Sequence, residues 1–209
     1  SSTEKVKGKP ACTKGSCEPS NSPKAKEETQ IIEMPLSLLD LKEFIRTVPD
    51  FPQKGVDFKD IMPLLKDAEA FQSVLTHMSD KVENQQFDYI AGIEARGFIL
   101  GAPLANALNV GFLALRKQGK LPGKVATESY SLEYGEASLE IQNDAIKANS
   151  KVLIVDDVLA TGGTAQCAAN LIEKLGGKVV GFLFLATIDV LNGKEKIAKY
   201  KQQSLLAYD

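Results

Sequence analysis

The chain has 209 residues, 44% of them apolar, with 25 Lys plus Arg against 27 Asp plus Glu, a formal net charge of −2. That length suits one ordinary domain able to bury a core without staples, and the near-neutral balance excludes a protein whose main work is neutralising a nucleic-acid backbone. The single histidine, His77, excludes a zinc site built on two histidines, and no stretch approaches the roughly 20 consecutive apolar residues of a membrane span.

Residues 1–30 contain Pro10, Pro19 and Pro23, six lysines, four glutamates and no aromatic residue. Nothing there can bury an apolar face, so a disordered polar tail is expected, followed by one domain over 31–209. Cys12 and Cys17 fall in the tail and Cys167 in the body, which makes no disulfide framework. That cysteine usage suits a reducing compartment, and the expected location is the cytoplasm.

From Leu36 the pattern changes. Leu38, Leu41, Ile45 and Val48 recur at helical spacing, Ser37 with Asp40 resembles a capping box, and Pro49 and Pro52 end the helix. Phe51 to Ile61 reads as a turn and a short extended piece around Gly55. A second helix carries Phe71, Val74, Leu75, Met78 and Val82 on one face, with His77 beside it in a packing role. Tyr89 to Ile93 is a short apolar strand, broken at Glu94-Ala95-Arg96-Gly97 before a helix with Ile99, Leu104 and Leu108. Val110 to Leu115 is the next strand. Residues 116–136 are polar, Gly-rich and aperiodic, the mark of a long loop. Leu139 to Gln142 is extended, Lys151 to Val155 is a fully buried strand, a helix runs from about Thr164 to Leu175, and Val179 to Ala186 is a further strand. Strand–helix alternation with continuous apolar strands predicts an α/β fold, a mostly parallel sheet flanked by helices on both faces.

In such sheets, ligands bind beyond the carboxyl ends of the strands. The segment from Val152 to Thr164 has the strongest signal. A buried strand delivers Asp156 and Asp157, and Ala160 then leads into Thr161-Gly162-Gly163-Thr164, which opens a helix. Glycines let the backbone approach a ligand, and the freed amides with two hydroxyls make an anion site at a helix N-terminus. The carboxylates call for hydroxyls or a cation instead. The segment therefore reads as a grip on ribose 5-phosphate, phosphate in the Thr-Gly-Gly-Thr cradle and the ribose diol on the two aspartates. The plainer reading is a tight turn with two solvated acids. The Gly-Lys-Ser/Thr ending of a Walker loop is missing.

This segment resembles the phosphoribosyl-pyrophosphate signature of the type I phosphoribosyltransferases. Four further segments, Phe51 to Ile61, Glu94 to Phe98, Arg116 to Gly123 and Tyr130 to Gly135, narrow the resemblance to the adenine phosphoribosyltransferases, over about residues 36–209. The resemblance implies transfer of the 5-phosphoribosyl group from phosphoribosyl pyrophosphate to adenine, giving AMP and pyrophosphate, in purine salvage. It implies Mg2+ carried on pyrophosphate and sugar oxygens, with Asp156 and Asp157 in reach, and a homodimer in which a neighbouring subunit helps complete the basic site. No nucleic-acid or membrane partner is expected.

Glu94, Ala95 and Arg96 follow a strand and precede a helix, so their loop faces the same edge. Arg96 adds a guanidinium fork suited to phosphate oxygens. Arg116, Lys117 and Lys120 gather three more cations at the end of the next strand, and pyrophosphate is the expected polyanion between the two segments. The resemblance also implies a non-proline cis peptide at Glu94-Ala95. Residues 117–136 read as a lid, hinged at Gly119, Gly123 and Gly135 with Tyr130 and Tyr134 as cover, needed because water would capture an oxocarbenium-like centre. The resemblance places Glu133 over the purine as the proton acceptor. It places adenine on Phe58, read by backbone groups of Val56, Asp57 and Lys59. Lys59 stands where arginine is more usual, and the stretch from Ile188 to Tyr208 looks shorter and more irregular than is usual in the family. Lysine keeps the charge without the fork, which leaves room for another purine such as hypoxanthine or guanine. A third reading is a non-catalytic regulator that senses phosphoribosyl pyrophosphate.

Overall fold

The computed structural model describes residues 34–132 and 135–209. The polar tail with Cys12 and Cys17, and the pair Glu133 and Tyr134, lie outside the described residues.

The chain opens with α1 (Leu38–Glu43), capped as its sequence suggests: Ser37 Oγ accepts from the Asp40 amide at 3.1 Å. The helix stops earlier than the apolar spacing indicates. Arg46–Val48 instead forms β1, antiparallel to β2 (Phe58–Asp60), with Val48 opposite Phe58. Arg46 donates to the Asp60 carboxylate at 2.5 Å across this ladder. The Met62 amide and that guanidinium hold the Asp60 carboxyl below its usual range. Two short helices' worth of chain follows, α2 (Met62–Lys66) and the longer α3 (Ala68–Lys81), whose N-cap Asp67 accepts from the Ala70 amide at 2.9 Å. His77 does pack, donating from Nε2 to the Leu36 carbonyl at 2.7 Å.

The main sheet contains β3 (Tyr89–Ile93), β4 (Gly111–Lys117), β5 (Val125–Ser131), β6 (Glu136–Gln142), β7 (Lys151–Leu159), β8 (Lys178–Ile188) and β9 (Gln202–Tyr208). Their order is β5-β6-β4-β3-β7-β8-β9. Five neighbouring strands from β4 to β9 run parallel, and β5 and β6 attach antiparallel at the β4 edge. Helix α4 (Arg96–Ala107) links β3 to β4 and α5 (Gly163–Lys174) links β7 to β8; a short helix, α6 (Gly193–Lys196), precedes β9.

Each central strand buries both faces because the sheet separates two cores. Ile90, Leu153, Val155 and Leu183 pack with α1, α3 and α4 through Leu41, Val74, Met78 and Leu104. Ala91, Ile93, Val152 and Ile154 pack with α5 through Ala168, Leu171 and Ile172. Neighbouring residues of one strand thus serve opposite cores, which is why these strands read as unbroken apolar runs. The chain leaves β3 toward β4 over one face and β7 toward β8 over the other. The β3/β7 boundary is therefore the switch point of the sheet, where ligands of parallel α/β folds bind.

Two expectations need correction. Residues 116–136 are not one long loop. Val125–Ser131 is β5, paired with β6 from Val125 opposite Gln142 to Ser131 opposite Glu136. The stretch from Ile188 to Tyr208 ends in a regular strand, β9, rather than in irregular chain.

Candidate active site

Strand β7 carries the carboxylate pair differently from a strand tip. Pairing with β3 ends at Gly92 opposite Val155, whereas pairing with β8 continues through Asp156 opposite Phe184 to Leu159 opposite Thr187. Asp156 and Asp157 so stand just past the end of β3 while one flank remains held by β8. Asp157 is buried and accepts from Arg96 Nε, the first residue of α4. Asp156 Oδ1 accepts from the Asp157 amide at 2.8 Å. Burial, and then the charge of Asp157, push the Asp156 carboxyl well above its usual range.

Beyond β7 the chain makes the expected cradle. Gly162 sits at φ +86° as the N-cap of α5, and Gln166 donates its amide to the Gly162 carbonyl at 2.9 Å. A Cβ on Gly162 would fall 2.6 Å from the Gly193 carbonyl oxygen, so this position requires glycine for both its conformation and its clearance. Gly163 is less constrained, since a Cβ there would meet only the Tyr130 ring at 3.4 Å. Tyr130 itself comes from β5. Its hydroxyl accepts from Thr164 Oγ1 at 3.1 Å, which sets the hairpin directly over the cradle.

The opposite wall is the Glu94-Ala95 turn between β3 and α4, whose peptide bond is cis, as the resemblance implies. Glu94 Oε2 accepts from the Lys117 amide at 2.9 Å and from Arg116 Nε at 3.2 Å. Burial raises the Glu94 carboxyl, but the Lys117 amide and the Arg116 guanidinium outweigh it and hold it below its usual range. Arg116 Nη1 also donates to the Lys120 carbonyl at 3.2 Å.

Two cavities meet here. The larger, about 620 Å³, is lined by Glu94, Ala95, Arg96, Lys117, Tyr130, Asp156, Asp157, Ala160, Thr161, Gly162 and Thr164. Eleven of the residues singled out from the sequence thus share one space, with the N-termini of α4 and α5 at its wall. Gly163, Arg116 and Lys120 are not among its lining residues. Arg116 braces Glu94 behind that wall. The smaller cavity, about 390 Å³, is lined by Val56, Asp57, Phe58 and Lys59 and shares Arg96, Val158 and Ala160 with the larger one. Phe58 is fixed by an edge-on contact with Phe51 at 5.3 Å, and the Arg96 guanidinium lies over its ring at 5.1 Å. Lys59 turns its ammonium away, donating to Thr47 Oγ1 at 2.9 Å and lying 4.4 Å from the centre of the Tyr208 ring.

Sequence reasoning missed the far side of the smaller cavity, formed by Ile188, Val190, Leu191 and Asp209. Val190 and Leu191 are 67% and 44% exposed, an apolar pair without helical or strand periodicity. The one available signal was the Asn192-Gly193 turn behind them. Glu136, Ala137 and Ser138 of β6 also line the larger cavity and were not singled out.

A carboxylate pair and a glycine-opened helix N-terminus in one cavity, beside an apolar cavity at Phe58 and at the switch point of a parallel sheet, point to the class of the phosphoribosyltransferases. The phosphoribosyl transferase domain family matches residues 64–206. Adenine phosphoribosyltransferases of Halothermothrix orenii and Thermotoga neapolitana are 53% and 51% identical over 168 and 170 residues, covering 80% and 81% of this chain and 99% and 100% of theirs. A crystal structure of adenine phosphoribosyltransferase from Thermoanaerobacter pseudethanolicus matches with a TM-score of 0.81 at 48% identity, over 82% of this chain and 100% of that one. The Saccharomyces cerevisiae enzyme, solved with an imino-altritol bisphosphate and adenine, gives 0.76 at 39% identity over 81% and 98%. The chain belongs to the adenine phosphoribosyltransferase family.

Gly162→Ala is expected to weaken binding of ribose 5-phosphate about tenfold and to lower the melting temperature, whereas Gly163→Ala should change neither by much, because ordinary backbone strain at positive φ costs about 1 kcal/mol before any clash is added. Calorimetry and thermal unfolding on the two variants check this, and equal effects would remove the distinction between them. Asp156 supplies a second prediction. The folded protein holds the Asp156 proton more tightly than the unfolded chain does, so this group favours the fold at low pH and that contribution is lost as pH rises through its raised value. Asp156→Asn should therefore melt higher than the parent at pH 7–8, by about 2–4 °C for each kcal/mol relieved, with the gain shrinking toward pH 4. A lower melting temperature across that range would contradict the assignment.

Proposed function

We propose that the chain transfers the 5-phosphoribosyl group from phosphoribosyl pyrophosphate to adenine, releasing AMP and pyrophosphate, in purine salvage. The single observation that carries the reading is the meeting of the two cavities at Arg96, Val158 and Ala160. A sugar seated in the larger one presents its anomeric carbon to a base seated in the smaller, so the new bond forms at their shared border.

In this reading the 5′-phosphate lies on Ala160 to Thr164 and the N-terminus of α5, and Asp156 and Asp157 take the ribose hydroxyls. Glu94, Ala95, Arg96 and Lys117 receive pyrophosphate, with Arg116 and Lys120 shaping that wall. Departure of pyrophosphate leaves positive charge on the sugar ring, and the carboxylate pair beneath it stabilises that charge electrostatically. Adenine stacks on Phe58, faces Leu191 across the slot, and is read by backbone groups of Val56 to Lys59. Glu133 takes the proton released as the base nitrogen attacks, and Tyr130 and Tyr134 exclude water.

Magnesium is proposed to arrive on the pyrophosphate and sugar oxygens. The donor chemistry fits: two adjacent carboxylates, one driven toward its protonated form by burial and by the other's charge, would both gain from a cation. When bound, the metal would screen the charge of the leaving group. The proposed working form is a cytoplasmic homodimer, as the resemblance implies. No helix among the described residues is long and apolar enough to cross a membrane.

A base-competition assay with labelled phosphoribosyl pyrophosphate and magnesium tests the reading. Adenine should be consumed in preference to hypoxanthine and guanine, and equal use of all three would sink the base assignment. Glu133→Gln keeps size but cannot accept a proton. It should lower kcat at least about tenfold with a smaller change in KM for the sugar phosphate, the pattern of an interaction made in the transition state. Full activity in that variant would give the proton to solvent.

A further inference from the structure

Asp157 is not the only buried carboxylate among the described residues; Glu140 on β6 is 6% exposed. Asp157 has Arg96 as its counterion, while no ion pair among the described residues involves Glu140. Arg116 stands directly opposite it in the β4–β6 ladder, yet its guanidinium is engaged by Glu94 and the Lys120 carbonyl. Burying a charge is unfavourable unless its oxygens find donors. Those of Glu140 find two, the Gly119 amide at 3.1 Å and, more weakly, the Thr127 hydroxyl at 3.4 Å.

The first of these donors belongs to the basic turn. Lys120 donates its amide to the Lys117 carbonyl at 3.3 Å, closing a four-residue turn, and Gly119 sits third in it at φ +81°, the conformation a type II turn demands there. Glu94 holds the amide of Lys117 at 2.9 Å from one side, and Glu140 holds the amide of Gly119 from the other. With both amides tied to carboxylates, the turn reaches the larger cavity through Lys117 and Gln118, and Lys117 is its one cation there.

We propose that Glu140 is a positioning residue for pyrophosphate recognition: through the Gly119 amide it holds the Lys117–Lys120 turn in the shape that presents Lys117 to the cavity. The inference rests on the reading of that turn as part of the pyrophosphate site. Glu140 touches no substrate. It fixes the turn from beneath, and through Thr127 it joins the turn to the hairpin that covers the phosphate cradle.

The test uses the full chain with Glu140→Leu, Glu140→Gln, Lys117→Met and the double variant Glu140→Leu/Lys117→Met. Melting temperature, both KM values and calorimetric binding of inorganic pyrophosphate with magnesium are measured. Glu140→Leu removes the acceptor at similar volume. It should weaken pyrophosphate binding and raise KM for phosphoribosyl pyrophosphate by about tenfold, with KM for adenine changed less than about twofold. Glu140→Gln keeps an acceptor oxygen for Gly119 and should recover most of the loss. In the Lys117→Met background the Glu140 effect should largely vanish, since both act through one contact. Unchanged pyrophosphate affinity in folded Glu140→Leu, beside a weakened Lys117→Met, would overturn the role of Glu140 and leave the pyrophosphate site standing. Normal pyrophosphate binding by Lys117→Met would overturn both. If Glu140→Leu does not fold, Glu140→Asp, which keeps the charge but shortens its reach, decides on the same readouts.

Discussion

A buried carboxylate needs a counterion or hydrogen-bond donors, and the pairing of Asp157 with Arg96 is the contact on which the site depends. Asp157 lies on β7, in the middle of the sheet, and Arg96 begins α4, just past the end of β3. Their ion pair closes the switch point between the two strands and fixes where the first turn of α4 begins. Gly97 allows this closeness, since a Cβ there would fall 2.9 Å from the Val155 carbonyl oxygen. Arg96 also covers Phe58, so one side chain borders the larger and the smaller cavity at once. Stranding a fully buried charge costs about 3–5 kcal/mol, and less here because the Arg96 side chain is 39% exposed.

The central strands were legible because they serve two cores. Val152 to Val155 in β7 and Val179 to Ala186 in β8 show near-continuous apolar character because both faces are covered. The same logic explains what was not legible. Strand β5 alternates small and polar residues with Tyr130 because it is an edge strand half open to solvent, so its composition resembles a loop. Strand β1 is three residues long, and its Val48 falls by coincidence on the helical spacing of Leu38, Leu41 and Ile45. Short pairings of this kind are set by their partner, here Phe58 on β2, rather than by local periodicity.

The candidate site divides along a similar line. Asp156, Asp157 and Thr161 to Thr164 could be found because strand, carboxylates, glycines and helix start are contiguous. The residues that complete the base slot could not, because Val190 and Leu191 reach it from a segment more than 130 residues away from Val56 to Lys59. Arg116 stands out in the sequence for its charge, and only the fold shows that its guanidinium also braces Glu94.

The covering segment also has a different physical character from a free flap. Strand β5 is tied to α5 along its length: Lys174 donates to the Thr127 carbonyl at 2.8 Å, the Cys167 thiol to the Glu128 carbonyl at 3.2 Å, and Thr164 to the Tyr130 hydroxyl at 3.1 Å. Burial pushes that thiol up to about 11, which keeps it a neutral donor. Helix α5, whose N-terminus lines the larger cavity, is therefore the helix that anchors the hairpin above it, and its first turn meets the anchored strand through Thr164 and Tyr130. Past Tyr130 the Leu132 amide donates to the Gly135 carbonyl at 2.9 Å, with Gly135 at φ +98°. The cover over the first turn of α5 is thus held by that helix itself, through the carbonyls of Thr127 and Glu128 and the hydroxyl of Tyr130.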